Sequence, residues 1–194
     1  MAEESLPLDT KIIHVSKNVM HKLSSLDTPP TAIALCQIKP QNKELGNKIL
    51  ILDNIQDPGN LGTIIRSAKA FNVDTIILGE GTVDLYNSKV IRATQGMLFH
   101  INIVTKPVIP LIKDLKIKGY KIFSTNVVKG IDVQTIKNNK LNKYALIVGN
   151  EGNGVNNEIT KLADLNLYIK INSQVESLNV AVATSILLYE LNRR

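Results

Sequence analysis

Tryptophan is absent from the 194 residues, and three phenylalanines with five tyrosines are the whole aromatic complement. That is too little to build a base-stacking platform of the kind single-strand binders use. One cysteine, Cys36, excludes an internal disulfide and a cysteine metal cluster, and its apolar surroundings suggest a buried, inert thiol. The three histidines, His14, His21 and His100, have no metal-ligand spacing. No apolar run approaches the ~20 residues of a membrane helix. The opening residues Met1 to Pro7 lack the basic flank and apolar stretch of a secretory signal, so a cytoplasmic protein is expected. Neither G-x-G-x-x-G nor G-x-x-x-x-G-K-[ST] occurs, which disfavours a nucleotide-dependent enzyme of the ordinary doubly wound kind.

With 44% hydrophobic and 21% charged residues the chain has a globular composition, long enough for one well-buried core and a small appendage. The net charge of +6 points to an anionic partner. Between Ile101 and Lys143 nine lysines face only Asp114 and Asp132. Two readings stand for that segment: a footprint for a phosphate backbone, or the solvated faces of lysine-rich helices.

The segment to about Asn47 is less organised than the rest of the chain. Helical spacing of apolar residues runs from Val15 to Leu26, Asp27 to Pro30 is a turn, Ala32 to Ile38 has strand character, and Gln41 to Asn47 reads as a linker. Strand and helix then alternate. Expected strands are Ile49–Leu52, Thr75–Leu78, Ile101–Val104, Lys121–Thr125, Ala145–Val148 and Leu167–Ile171. Expected helices are Leu61–Phe71, Ser88–Met97, Ile109–Lys118, Asn157–Ala163 and Ser177–Asn192. This rhythm predicts an α/β domain with a mostly parallel sheet and helices on both faces, in which ligands bind beyond the carboxyl ends of the strands.

Three stretches following strands stand out. In the first, Asp57 to Asn60 form a polar turn in which Asn60 is placed to cap the next helix. Leu61, Ile64, Ile65, Ala68 and Phe71 make the apolar stripe of that helix, while Arg66 lies off it beside Thr63 and Ala70. Arg66 is either a solvated surface arginine or one held available for chemistry. The second stretch puts Gly149, Gly152 and Gly154 within six residues, so the backbone can turn sharply and approach a ligand. Glu151 between them offers a carboxylate to a ligand amine or hydroxyl. In the third, Glu176 and Ser177 introduce a helix that is apolar nearly all round from residue 180 to 191. Either it is a central core helix or its second cover is another subunit.

Together these stretches resemble the three motifs of the SpoU/TrmH family of RNA 2′-O-ribose methyltransferases, in the knotted SPOUT class. N-x-G-x-x-x-R matches Asn60, Gly62 and Arg66; a strand leading into G-x-E-G-x-G matches Gly149, Glu151, Gly152 and Gly154; and E/S-S-L-N-V-x-V-A matches Glu176 through Ala183. The resemblance covers residues 48–194. Residues 1–47 form a short N-terminal segment that looks like the last part of a ribosomal-protein-like RNA-binding domain, plus linker.

The resemblance implies a deep C-terminal trefoil knot, an exception to the rule that chains do not thread. It implies S-adenosylmethionine as cofactor, held by Thr125, Gly149, Asn150, Glu151, Gly152, Ile169 and Leu178. Catalysis would fall to Arg66, with Asn60, Glu151, Ser177 and Asn179 orienting it, the ribose and the loops. RNA would be the substrate, ribosomal rather than transfer RNA, and the protein a homodimer through its terminal helix. The third motif departs from its usual I-P-[ML]-x-G opening: Lys170 stands at the proline and Ser173 at the glycine. That departure leaves open a catalytically silent knotted RNA-binding or assembly protein.

Overall fold

A computed structural model describes residues 10–38, 40, 42, 44–126, 130–136, 141–150 and 152–193. The chain divides between residues 39 and 40 into two compact units. In the first, one helix, α1 (Lys17–Leu23), is capped by Ser16, whose Oγ accepts from the Val19 amide at 3.4 Å. None of its described residues is buried, and the apolar stripe Val15, Val19, Leu23 and Leu26 is exposed. The expected strand at 32–38 does not form, because extended backbone needs a ladder partner and a covered face and here has neither. Cys36 sits in that stretch and is exposed, correcting the buried-thiol expectation.

The second unit is built on a seven-stranded, wholly parallel sheet in the order β3-β2-β1-β6-β4-β7-β5. In chain order the strands are β1 (Lys48–Asp53), β2 (Thr75–Leu78), β3 (Asn102–Thr105), β4 (Lys121–Thr125), β5 (Ile131–Asp132), β6 (Tyr144–Gly149) and β7 (Leu165–Tyr168). The helices are α2 (Pro58–Ala70), α3 (Ser88–Ala93), α4 (Val108–Ile117), α5 (Asn157–Leu162) and α6 (Val180–Asn192). Both faces of the central strands are apolar, and alternate residues serve opposite layers. Leu50 and Leu52 of β1 pack with α2, α3 and α6, whereas Ile49 and Ile51 pack with α4 and α5.

Several expected boundaries move, three of them for a visible local reason. The helix expected over Ser88–Met97 ends at Ala93 and resumes as a 3-10 turn, Met97–Phe99, because Gln95 and Gly96 take left-handed φ values of 49° and 83°. β7 runs over Leu165–Tyr168 rather than Leu167–Ile171: its β4 neighbour offers pairing only from Phe123 to Thr125, so Ile169 and Ile171 leave the sheet. α6 starts at Val180, where Asn179 caps it through Oδ1 to the Ala181 and Val182 amides.

Leu45 to Asn47 are stapled to this unit. Leu45 packs on the α4 side of the core and its carbonyl accepts from Thr75 Oγ1 at 2.6 Å. Asp74 Oδ2 accepts from the amides of Asn47 and Lys48, at 2.7 and 2.8 Å. The Tyr144 hydroxyl is buried beside Asn192 Nδ2 at 2.7 Å, and desolvation pushes its pKa up to about 12 against the lowering effect of that bond.

Gly62 is where α2 meets α3. A Cβ built there would lie 2.2 Å from Ala93 Cβ and 2.9 Å from the Ala93 carbonyl carbon, so the helices approach closely only because this side chain is absent. Gly62→Ala should destabilise the fold by about 1–2 kcal/mol in denaturant unfolding, since overpacking outweighs the ~1 kcal/mol by which alanine favours a helix.

Candidate functional site

The central pairing of β1 with β6, in register from Lys48 with Tyr144 to Asp53 with Gly149, delivers the first two motif loops side by side at the carboxyl end of the sheet. In the first loop Asp57, not Asn60, caps α2: its Oδ1 accepts from the Asn60 amide at 2.7 Å and Pro58 takes the first helical position. Proline's fixed φ starts the helix before the apolar stripe begins, which moves Asn60 into the first turn. There its Oδ1 accepts from Asn179 Nδ2 at 2.9 Å. One hydrogen bond thus joins the first motif to the third across 119 positions of sequence. Arg66 is exposed on α2, with Thr63 and Ala70 exposed alongside it.

The second loop folds back on itself. Asn150 and Gly154 form an antiparallel bridge, closed by the Gly154 amide on the Asn150 carbonyl at 2.9 Å. A Cβ at Gly149 would collide at 2.2 Å with the Gly154 backbone, and Gly154 has φ 67°, so both positions demand glycine. Gly152 is different: a Cβ there would meet nothing nearer than Asn150 Oδ1 at 3.5 Å. The fold itself does not require glycine at 152, which lines a cavity. Asn150 Oδ1 accepts from the amides of Gly152 and Asn153, at 2.9 and 3.2 Å, and its Nδ2 donates to the Asn54 carbonyl at 3.0 Å. Glu151 lies outside the described residues.

Beyond the ends of β4, β6 and β7 the glycine loop and the third stretch line a cavity of about 480 Å³, in the range of ligand pockets, to which the first loop contributes no described residue. Thr125, Gly149, Asn150, Gly152, Ile169, Leu178 and Ser177 line it, so every described residue expected at a cofactor is there, together with one expected at the chemistry. Arg66, Asn60 and Asn179 do not line it. Val148, Leu167, Val180 and Leu187 supply apolar wall, and Asn126, Asn153, Asn157 and Thr184 supply polar groups. Among the described lining residues Glu176 is the one charged side chain, and no lysine or arginine is present. Such a lining suits a ligand with both apolar and hydrogen-bonding parts and opposes no positive charge on it.

Sequence reasoning missed Asn126, Tyr168 and Thr184 as lining residues. Thr184 is one helical turn after Val180 on the buried face of α6, and that spacing was the available signal. Neither Lys170 nor Ser173 lines the cavity, and both are exposed. Where the resembling family has proline and glycine, Asn172 makes the turn instead, its Oδ1 accepting from the Gln174 amide at 2.9 Å and its carbonyl from the Val175 amide at 3.0 Å.

The family model described as "SpoU rRNA Methylase family" matches residues 47–189. The 23S rRNA (guanosine(2553)-2′-O)-methyltransferase RlmP of Bacillus subtilis (strain 168) is 40% identical over 177 residues, covering 91% of this chain and 71% of that protein. An AdoMet-bound rRNA methyltransferase from Sinorhizobium meliloti superposes with a TM-score of 0.71 at 34% identity, covering 76% of this chain and 56% of that one. The SpoU methyltransferase AviRb from Streptomyces viridochromogenes, in complex with AdoMet, gives a TM-score of 0.76 at 25% identity, covering 92% of this chain and 71% of that one.

Asn179 both caps α6 and holds Asn60, so Asn179→Ala removes two interactions at once. Losing the cap and the side-chain bond should cost about 1–2 kcal/mol in chemical denaturation. Asn60→Ala, which leaves the cap intact, should cost visibly less.

Proposed function

Because the chain belongs to the SpoU rRNA methylase family, we propose that it is an enzyme that moves the methyl group of S-adenosylmethionine onto a ribose 2′-hydroxyl of RNA. Ribosomal RNA is the favoured substrate class, since the Bacillus subtilis and Sinorhizobium meliloti proteins named above are rRNA methyltransferases. The observation that carries the reading is the cavity at the strand ends, into which the second and third motifs both deliver residues. It fits the cofactor on its own terms: apolar wall residues beside polar ones, glycine backbone at 149 and 152, and a described lining whose one charge, that of Glu176, would favour rather than oppose a sulfonium. Gly149, Gly152, Ile169, Leu178 and Thr125 would hold it, with Asn150 in the wall through its backbone, since its side-chain amide is bonded to the protein at both ends.

The cofactor supplies a methyl group already activated on a cationic sulfur. What remains for the protein is to align the attacking hydroxyl and to take up its proton as the new C–O bond forms. A guanidinium with pKa above 12 is a poor free base. Arg66 is therefore assigned to a phosphate or to the developing alkoxide, which it stabilises electrostatically, with the substrate phosphate accepting the proton. Asn60 and Asn179, joined to each other, brace the helix that bears it, and Ser177 and Glu151 orient the ribose and loop.

The same reading includes a trefoil knot formed by the chain after β6, a cytoplasmic location, and residues 1–47 as an RNA-binding segment plus linker. No helix among the described residues is long and apolar enough to cross a membrane, which is compatible with that location. It also includes a homodimer through α6. On this helix Val182 and Tyr189 are 48% and 55% exposed although the opposite side is buried, and Tyr189 meets Phe71 of α2 edge-on with ring centroids 5.9 Å apart.

Arg66→Ala should abolish methyl transfer to ribosomal RNA while calorimetric binding of S-adenosylmethionine survives; loss of both together would make Arg66 structural. Val182→Glu combined with Tyr189→Glu should convert a dimer to a monomer in light scattering. An unaltered protein that is already monomeric at micromolar concentration would refute the dimer.

A further inference from the structure

The loop after β1 carries no motif residue before Asn60, yet its backbone is unusual. Asn54 has φ 61°, the left-handed region that asparagine tolerates better than most residues. The Asn54 carbonyl accepts from Asn150 Nδ2, 96 positions away. The same side chain's oxygen is occupied by the Gly152 and Asn153 amides. The Asn150 amide is thus committed at both ends to the protein, although the residue lines the cavity.

We infer that Asn150 is a positioning residue, a strap that fixes the glycine loop to the loop leading into α2 and so sets the methyl donor's cradle against the helix bearing Asn60 and Arg66. The inference rests on reading the cavity as a methyl-donor site.

Two loops that follow adjacent parallel strands diverge unless something joins them, because strand pairing ends at Asp53 and Gly149. Two side chains join them here. Asp53 Oδ2 accepts from the Asn156 amide at 2.9 Å, anchoring the far end of the glycine loop where α5 begins. Asn150 anchors the near end, beside Gly152. The Asp53 bond and the β1–β6 ladder do not involve the Asn150 side chain, so removing the near strap leaves the fold its main supports. It frees only the relative placement of the two halves of the site. Methyl transfer demands collinear approach within a few tenths of an ångström, so rate should suffer more than donor affinity.

The test uses the full chain, S-adenosylhomocysteine as calorimetric probe, and ribosomal RNA from a strain deleted for the gene as methyl acceptor. Asn150→Ser keeps an oxygen for the Gly152 and Asn153 amides but is too short to reach the Asn54 carbonyl. Asn150→Asp keeps length and acceptor but presents an oxygen where the donor was. With melting temperatures recorded for both, each variant should bind the probe within about threefold of the unaltered protein. Single-turnover transfer should slow about tenfold or more, and more in the aspartate variant. If probe affinity falls in step with rate, Asn150 belongs to the cofactor cradle alone and the inference is overturned. An unchanged rate in whichever variant folds overturns it equally. An unaltered chain that neither binds the probe nor methylates the RNA sinks the methyl-donor reading itself, and the strap with it.

Discussion

The pairing of β6 against β1 is the constraint on which the other features depend. It joins segments nearly a hundred residues apart over six residue pairs, all within apolar strands whose central residues have no solvent contact on either face. Desolvated backbone must find its partners within the sheet, so the register is held by the whole ladder. A slip of one residue would turn Leu50 and Leu52 toward α4 and Ile49 and Ile51 toward α2, undoing both layers at once. From this register it follows that Asp53 ends beside Gly149 and that the loops continuing from them meet.

Around that pair the molecule gathers a set of asparagines at the carboxyl end of the sheet. Asn54, Asn60, Asn150, Asn156, Asn172 and Asn179 each turn a loop, cap a helix or span two motifs. Asparagine suits this work because one short side chain both donates and accepts and the residue tolerates left-handed backbone. The result is a cavity framed by hydrogen-bonded loops in which Glu176 is the one charged side chain, with no lysine or arginine among the described lining residues. A site with that lining leaves a bound sulfonium its positive charge without a competing cation. Arg66, on the exposed side of α2, remains available to an anionic polymer arriving from solvent.

Much of this was legible in the amino-acid order. Thr75–Leu78 and Lys121–Thr125 are strands with the expected bounds, since buried parallel strands are short apolar runs with sharp polar limits. The six described residues expected around a cofactor line one cavity: Gly149, Asn150, Gly152, Ile169 and Leu178 belong to the second and third motifs, and Thr125 ends the neighbouring strand β4. The misses are of another kind. Asn60 looked like a cap because it precedes the apolar stripe, but Pro58 pre-sets the helix ahead of it and Asp57 takes the role. Ile169 and Ile171 looked like strand because they alternate, but alternation cannot say how far a neighbouring strand extends. Residues 32–38 and Cys36 looked covered, yet local apolarity does not supply a partner to cover them.

By itself, then, the chain's order of residues determined the strand and helix alternation, the three motif loops and the family, because each of these is written in neighbours a few residues apart. Tertiary structure alone decided that β6 inserts between β1 and β4, that Asn179 reaches Asn60, and that Asn150 reaches Asn54. Those two contacts span 119 and 96 positions, one between two side-chain amides and one from a side-chain amide to a backbone carbonyl, and the asparagines that make them are indistinguishable in sequence from any on the surface. Only the packed register of a buried sheet brings such groups within about 3 Å of one another, and periodicity carries no information about that distance.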